Sequence, residues 1–365
     1  MKASWKNYAL TGNVKAQHEL TDEGFEAEVE QQWYSAKVER KVLKQLIKRS
    51  DVESIRYYAL WLGLLMAAGI GAYLTWGTVW AWLWFAVYGV LYSAADHRHH
   101  ELSHGTPFKT RWLNDGFFHL CAFMTLREGF YYRWSHTRHH THTVLVGKDP
   151  EIAAPRPPHV LGIVSDLFFI KDGVRLMTLL VRHSFGNLTA DGKQFVPAEE
   201  LPKIICASRL YLVLIGSVGA ACVASASILP GLLVVLPRFY GGFFSQLFNI
   251  TQHAGLAEDV HDHRLNTRTI YMNPVYQFLY SNMNYHIEHH MFPMVPYYKL
   301  PELHGLIKDQ CPPAYPSLSA ALQEMVPALL KQTRDPAYFV QRSVPSFSVE
   351  TPTATHYESN TLKPI

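Results

Sequence analysis

Polar and apolar positions are distributed very unevenly along this chain. Residues 1–56 are polar and hold no apolar run, so no cleavable leader is expected there. From Thr21 to Arg49 acidic residues give way to basic ones, with apolar residues at helical spacing; this predicts one or two solvated surface helices. Tyr57–Ala95 then runs 39 residues without an Asp, Glu, Lys or Arg. At ~1.5 Å per residue that is ~58 Å of helix, close to two crossings of a ~30 Å hydrocarbon core. Thr75-Trp76-Gly77 at its midpoint predicts a tight turn between two spans of about nineteen residues. A second hairpin is expected where Leu210–Leu229 is charge-free, Pro230-Gly231 turns the chain, and an apolar run continues to Asn249. Arg238, beside Pro237, interrupts that run; it is expected to snorkel toward the outer interface or to precede the helix start.

Lys37, Arg40, Lys41, Lys44, Lys48, Arg49 and Arg56 precede the first span, and the Thr75–Gly77 turn has no basic residue, which places the N-terminal side in the cytosol. Each hairpin returns the chain to that side. Gly116–Leu126 is too short to cross, and Val160–Val181 carries Asp166, Lys171, Asp172 and Arg175; both predict helices lying in the interface. Ser343–Ile365 is rich in Pro, Ser and Thr and reads as disordered. The expected division is an N-terminal cytosolic helical segment (1–54), a membrane domain (55–332) and a tail without structure (333–365). The fold class is all-α.

The net charge, +3, is too slight to argue for a nucleic-acid partner. The four cysteines are scattered with no CxxC pair, which excludes a disulfide framework, a cysteine-type zinc finger and a closely spaced iron–sulfur site. Histidine is the unusual residue. Nine of the 20 lie between His97 and His142, after the second expected span, and seven between His253 and His304, after the fourth. The local patterns are HELSH (His100, His104), HTRHH (His136, His139, His140) and HIEHH (His286, His289, His290), with Asn249 four residues before His253. On a helix HxxHH presents three imidazoles on one face. At this histidine frequency one HxxHH is expected roughly 0.06 times in such a chain, and two are rarer still. Neutral imidazole suits Fe, Zn, Cu or Ni. His97, His99 and His142 flank these patterns as lesser ligand candidates, and His261 and His263 sit in an acidic loop that reads as solvated.

HELSH is also HExxH, the zinc-protease signature, with Glu101 as its candidate general base. A mononuclear zinc site needs three protein ligands and leaves most of the remaining boxed histidines unexplained, whereas nine imidazoles suit two metals of four or five ligands each. Soluble di-iron proteins mostly use Glu and Glu-x-x-His instead, so a different scaffold is implied.

The order and spacing of HELSH, WSHTRHH, NITQHAG and NYHIEHH, from about Ala95 to Pro296, resemble the membrane fatty acid desaturase/hydroxylase superfamily. The resemblance implies four transmembrane helices in two hairpins under a cytosolic helical cap that holds a di-iron centre. Its two iron ions would be held by His100, His104, His136, His139, His140, His253, His286, His289 and His290, with Asn249 contributing through a water. It also implies a multi-pass enzyme, active on the cytosolic face, that uses O2 to place a C=C bond in a fatty acyl or related lipid chain. The alternative outcome of the same site is hydroxylation or ketolation of an alkyl, aromatic or terpenoid substrate. The acids of Arg127-Glu128-Gly129 and Asp149-Pro150-Glu151 are candidates to orient the imidazoles. There is no GxGxxG fingerprint, ferredoxin cysteine spacing or haem segment, so a separate electron donor is implied: a ferredoxin, a rubredoxin or a haem cytochrome with its reductase. Arg127, Arg133, Arg138 and Lys148 offer basic charge to an acidic donor.

Overall fold

The structure, a computed structural model, describes residues 33–345. Of the one or two surface helices expected over 21–49, residues 21–32 therefore lie outside the described residues; within the rest the helical part is α1 (Arg40–Leu46). Among the described residues the protein is all-helical, and the only β-type pairings are isolated bridges, Thr269 with Tyr285 and Ile270 with Tyr315.

Helix α2 (Asp51–Leu74) starts where Ser50 accepts a hydrogen bond from the Glu53 amide, with Asp51 and Glu53 set against the positive end of the helix dipole. Leu60, Leu64, Met66 and Ile70 are exposed along it, as expected for a lipid-facing stripe. The chain reverses at Gly77 (φ +86°) into α3 (Trp80–Ser93). The two pack closely because Gly71 has no side chain where the Trp84 ring lies. After the single residue Ala94 the chain continues as α4 (Ala95–Ser103).

Amphipathic helices follow. Helix α5 (Arg111–Met124) buries Phe118, Cys121 and Ala122 and exposes Trp112. Helix α6 (Gly129–Thr141) is capped by Glu128, whose two oxygens accept from the amides of Phe130 and Tyr131. The segment expected to lie in the interface over 160–181 forms α7 (Val160–Asp166) and α8 (Ile170–Ser184), divided at Phe169 (φ +54°). Leu161, Val164, Val174 and Val181 are exposed on these helices.

The second hairpin departs from expectation. Its first member is α9 (Leu201–Ala224), which starts earlier than Leu210. Only α2 and this helix are long and apolar enough to cross a membrane among the described residues. The run to Asn249 is broken into α10 (Leu229–Val234), α11 (Pro237–Gly241) and α12 (Phe243–Thr251). Pro237 has no N–H to give the carbonyl of Leu233, so another donor is required in an apolar setting. The Tyr88 hydroxyl supplies it (2.6 Å), the Tyr240 hydroxyl donates to the Leu232 carbonyl (2.8 Å), and the Tyr92 hydroxyl to that of Val234. Helix α11 crosses α3 backbone to backbone at Gly89 and Gly241, where a Cβ on Gly241 would lie 1.9 Å from the Gly89 carbonyl carbon.

Arg238 does not snorkel outward. It is fully buried on α11, and its guanidinium donates to the Ser93 carbonyl (2.9 Å), Ser245 Oγ (2.8 Å) and Asp96 (2.7 Å). An inward carboxylate outweighs the pull of the interface.

The rest of the described chain adds α13 (Pro274–Tyr280), α14 (His286–Met291), α15 (Leu300–Ile307) and α16 (Leu318–Gln332). Its core gathers Phe108, Phe118, Tyr280, Met283, Leu300 and Leu303. The expectation of a tail without structure from residue 333 stops short. Val340 donates to the Gly255 carbonyl, and Arg342 to the carbonyls of Arg264 and Thr267, so the chain is held through this stretch; 346–365 lie outside the described residues.

Candidate metal centre

Four chain segments deliver the boxed histidines to one place. His100 and His104 stand one turn apart on α4 and its C-cap, and His136, His139 and His140 share a face of α6. His286, His289 and His290 lie on α14, and His253 follows the last turn of α12. They form two adjoining groups. His100, His104, His136, His140 and His289 bring their ligand atoms within 4.8 Å of one another, and so do His139, His253 and His290. The groups touch through His140 and His290, whose rings stack at 4.3 Å. His286 joins the second group less directly, its Nε2 3.1 Å from that of His290.

The far side of several rings is already committed. His136 Nδ1 lies 2.9 Å from Glu151 and His139 Nδ1 2.8 Å from Asp149, each placed to donate its N–H to the carboxylate. Asp149 is fixed in turn by the amides of Val144 and Glu151. His253 Nδ1 faces the Asn266 carbonyl (2.9 Å), and His290 Nδ1 meets Thr143 Oγ1 (3.1 Å). Such partners fix the tautomer and leave Nε2 with a lone pair. These lone pairs face one another: the Nε2 atoms of His104 and His136, and of His136 and His140, are each 3.1 Å apart. Both nitrogens of His289, and Nε2 of His253, are buried with no hydrogen-bond partner. Buried polar atoms left unpaired are costly, and a cation at each centre satisfies them together.

The electrostatics agree. Burial, with repulsion from neighbouring imidazoles, holds His100, His136, His140, His253, His286, His289 and His290 well below the ordinary histidine value. Burial brings His104 down to about 3. His139 is raised: burial pulls it down, and the Asp149 carboxylate more than reverses this. Apart from His139, the rings are thus held neutral, the form in which imidazole binds metal.

Other sequence candidates fall elsewhere. Glu101 is buried, accepting from Thr106 Oγ1 (2.5 Å) and the Tyr297 amide (3.1 Å) rather than serving either group, which removes the base the protease reading needs. Glu128 is the cap of α6, so of the suggested orienting acids Asp149 and Glu151 fill that role. Neither His97, packed on Tyr280, nor His99, packed on Tyr132, enters a group, and His142 stays outside as well. Asn249 donates through Nδ2 to Asp96 (2.8 Å). Arg127 is enclosed between Asp96 (3.6 Å) and Asp172 (3.8 Å), and Arg133 lies beside Asp115 and over the Phe118 ring. His263 is not solvated; it is 3 % exposed, with its ring 5.1 Å from His290. Sequence reasoning also missed Asp96, which gathers Arg238, Arg127 and Asn249, and the buried pair of Glu288 with His304 (2.6 Å).

A cavity of about 430 Å³ reaches the histidines. His136, His139, His253 and Asn249 line one side, and Ile163, Leu167, Leu176 and Leu179 another. Asp166, Lys171, Asp172 and Arg175 add charge, with Lys171 and Arg175 about half exposed.

Two helices long and apolar enough to cross a membrane, with two imidazole groups that could hold metal beside a partly apolar cavity, suit a membrane-associated metalloprotein. The family model for fatty acid desaturases matches residues 74–321, more than half of the chain. The chain belongs to the membrane fatty acid desaturase/hydroxylase superfamily, whose members are membrane-bound oxidoreductases with di-iron centres. No curated protein matches it in sequence.

Proposed function

We propose that this protein uses O2 and a di-iron centre to introduce a C=C bond into a fatty acyl or related lipid chain. The observation that carries the reading is the meeting of seven boxed histidines and His253 in two adjoining groups of five and three. One iron would be held by His100, His104, His136, His140 and His289; the other by His139, His253 and His290, with His286 beside them and Asn249 contributing through a water. Iron bound there supplies O2 activation and hydrogen removal from an unactivated C–H bond. The net reaction consumes O2, two electrons, two protons and two substrate hydrogens, and yields the alkene and two waters.

The chain's own residues do the rest. Asp149 and Glu151 hold His139 and His136 in the tautomer that presents Nε2. Leu167, Leu176 and Leu179 place an apolar chain beside the histidines and keep water from it, while Lys171 and Arg175 suit an anionic or polar head at the exposed end. Four spans in two hairpins, with the cap in the cytosol, are supported by the basic residues before α2 and the exposed apolar faces of α2 and α9. The electrons come from a separate donor protein.

A second reading, hydroxylation or ketolation, is favoured by the charge of Asp96, Arg127 and Asp172 in the cavity wall, which suits a substrate with a polar group near the reacting carbon. Expression in a host of defined lipid content, with mass spectrometry of the products, decides between them. A loss of two mass units with a new double bond is the expected result. A gain of one oxygen establishes the second reading, and unchanged lipids together with iron-free protein defeat both.

A further inference from the structure

We propose that electrons reach the centre through Trp33 and His263, delivered by an acidic one-electron carrier protein docked over the C-terminal end of α6; this rests on the di-iron reading above. The half-buried Trp33 ring lies flat on His263, with centroids 4.2 Å apart and planes 6° apart. His263 in turn lies 5.1 Å from His290, which stacks on His140 of the other group. Four rings thus form a continuous string from the surface to both metal groups. Electron tunnelling weakens exponentially with the gap between ring edges, so such contacts make a favourable route.

Neither Trp33 nor His263 belongs to a histidine group, and a purely structural role accounts poorly for the pair. His263 is buried with Nδ1 unpaired, which costs stability. Trp33 is nevertheless fixed over it: its indole N–H donates to the Thr141 carbonyl (3.2 Å), and the next amide, Tyr34, donates to the His261 carbonyl (3.0 Å).

The surroundings suit an acidic partner. Arg138, in the last turn of α6, donates to the Lys148 carbonyl (3.3 Å), which sets its guanidinium beside the end of that helix. The acids nearby are engaged: Asp149 with His139, Asp259 with the Val146 amide, Asp262 with Arg264, and Glu258 with Arg156. Trp33 meets α6 at Thr141, one turn from Arg138, and an aromatic beside basic charge suits an electrostatically steered interface. None of Trp33, Thr141, His142, His261 and His263 lines the cavity, so donor and substrate approach by separate surfaces. Each carrier loses one electron and one ferric ion becomes ferrous; two deliveries reduce the pair, and no bond or proton changes place.

The test compares wild type with Trp33→Leu, Trp33→Phe and Arg138→Gln/Lys148→Gln, using the full chain in nanodiscs. The probes are an acidic [2Fe–2S] ferredoxin and an acidic haem cytochrome. Reduction of bound iron is followed by stopped flow without O2 or lipid, and dithionite serves as the small-molecule control. Binding to the metal-free chain is measured in parallel. Trp33→Leu is expected to slow reduction by at least one carrier tenfold or more, with iron content and the dithionite rate unchanged, and Trp33→Phe to restore most of it. The double variant weakens carrier binding about tenfold at low salt and less at high salt. Full-speed reduction of Trp33→Leu overturns the route, as does failure of both carriers on wild type that dithionite reduces. A photo-crosslinker at Thr141 should capture the carrier; capture only of residues 1–32 or of a second copy overturns the docking. A wild-type chain that holds no iron defeats the di-iron reading itself, and the route with it.

Discussion

At the scale of single residues, the centre depends on rings whose near nitrogens converge and, for His136, His139, His253 and His290, whose far nitrogens are spoken for. His139→Ala and His289→Ala should each lose iron while the protein still inserts; metal analysis of detergent-purified variants checks this, and full iron in both would defeat the assignment. Asp149→Asn keeps the size of the side chain but removes the charge that His139 donates to, and should weaken iron retention about 10- to 100-fold in chelator competition. The gathering of the histidines was legible because HxxHH on a helix leaves three imidazoles little choice of face, although His286 stands outside both groups. Asp149 and Glu151 were only half legible, since Glu128, equally acidic and equally near the second box, is consumed by the end of its helix. His263 was illegible: its acidic neighbours suggested solvent, and its burial comes from Trp33, a residue from a distant part of the chain.

At the scale of elements, the turn of the first hairpin was readable because a long charge-free stretch with a glycine at its middle has few other solutions, although α3, at 14 residues, falls short of the expected span. The second was not, because Pro230 and Pro237 within an apolar run are compatible with a kinked span or with separate short helices. What decides between them lies in other segments: the hydroxyls of Tyr88 and Tyr92 take the carbonyls that the breaks release. The crossing of α3 and α11 should be correspondingly intolerant. Gly241→Ala forces a methyl group into the Gly89 backbone and should cost about 1–3 kcal/mol or more, measured as a lowered unfolding midpoint in detergent. Gly77→Ala, strained by its positive φ but open in space, should cost less, about 1 kcal/mol.

At the scale of the whole molecule, the apolar helices and the segments that carry the histidines are tied together by charge. Asp96 binds Arg238 from the broken hairpin and Arg127 from the cavity wall, and Arg127 reaches Asp172 on α8. The carboxyl of Asp96, costly to bury alone, is held well below its usual range by the two guanidiniums. The proposed sidedness has a direct check. In a background with Cys206 and Cys222 replaced by Ser, Thr78→Cys should react with an impermeant maleimide only from outside the cell, and Glu302→Cys only from the cytosolic side. Both residues are exposed, so labelling from the same side would refute the topology.

The stretch Asp149-Pro150-Glu151 carries a consequence of its own. One carboxylate steadies a ring of the three-histidine group and the other a ring of the five-histidine group, so a single bend of backbone acts as a caliper for the gap between the two groups. Deleting Pro150 should therefore empty both positions together, with iron per chain falling from two toward zero and no stable one-iron form in between.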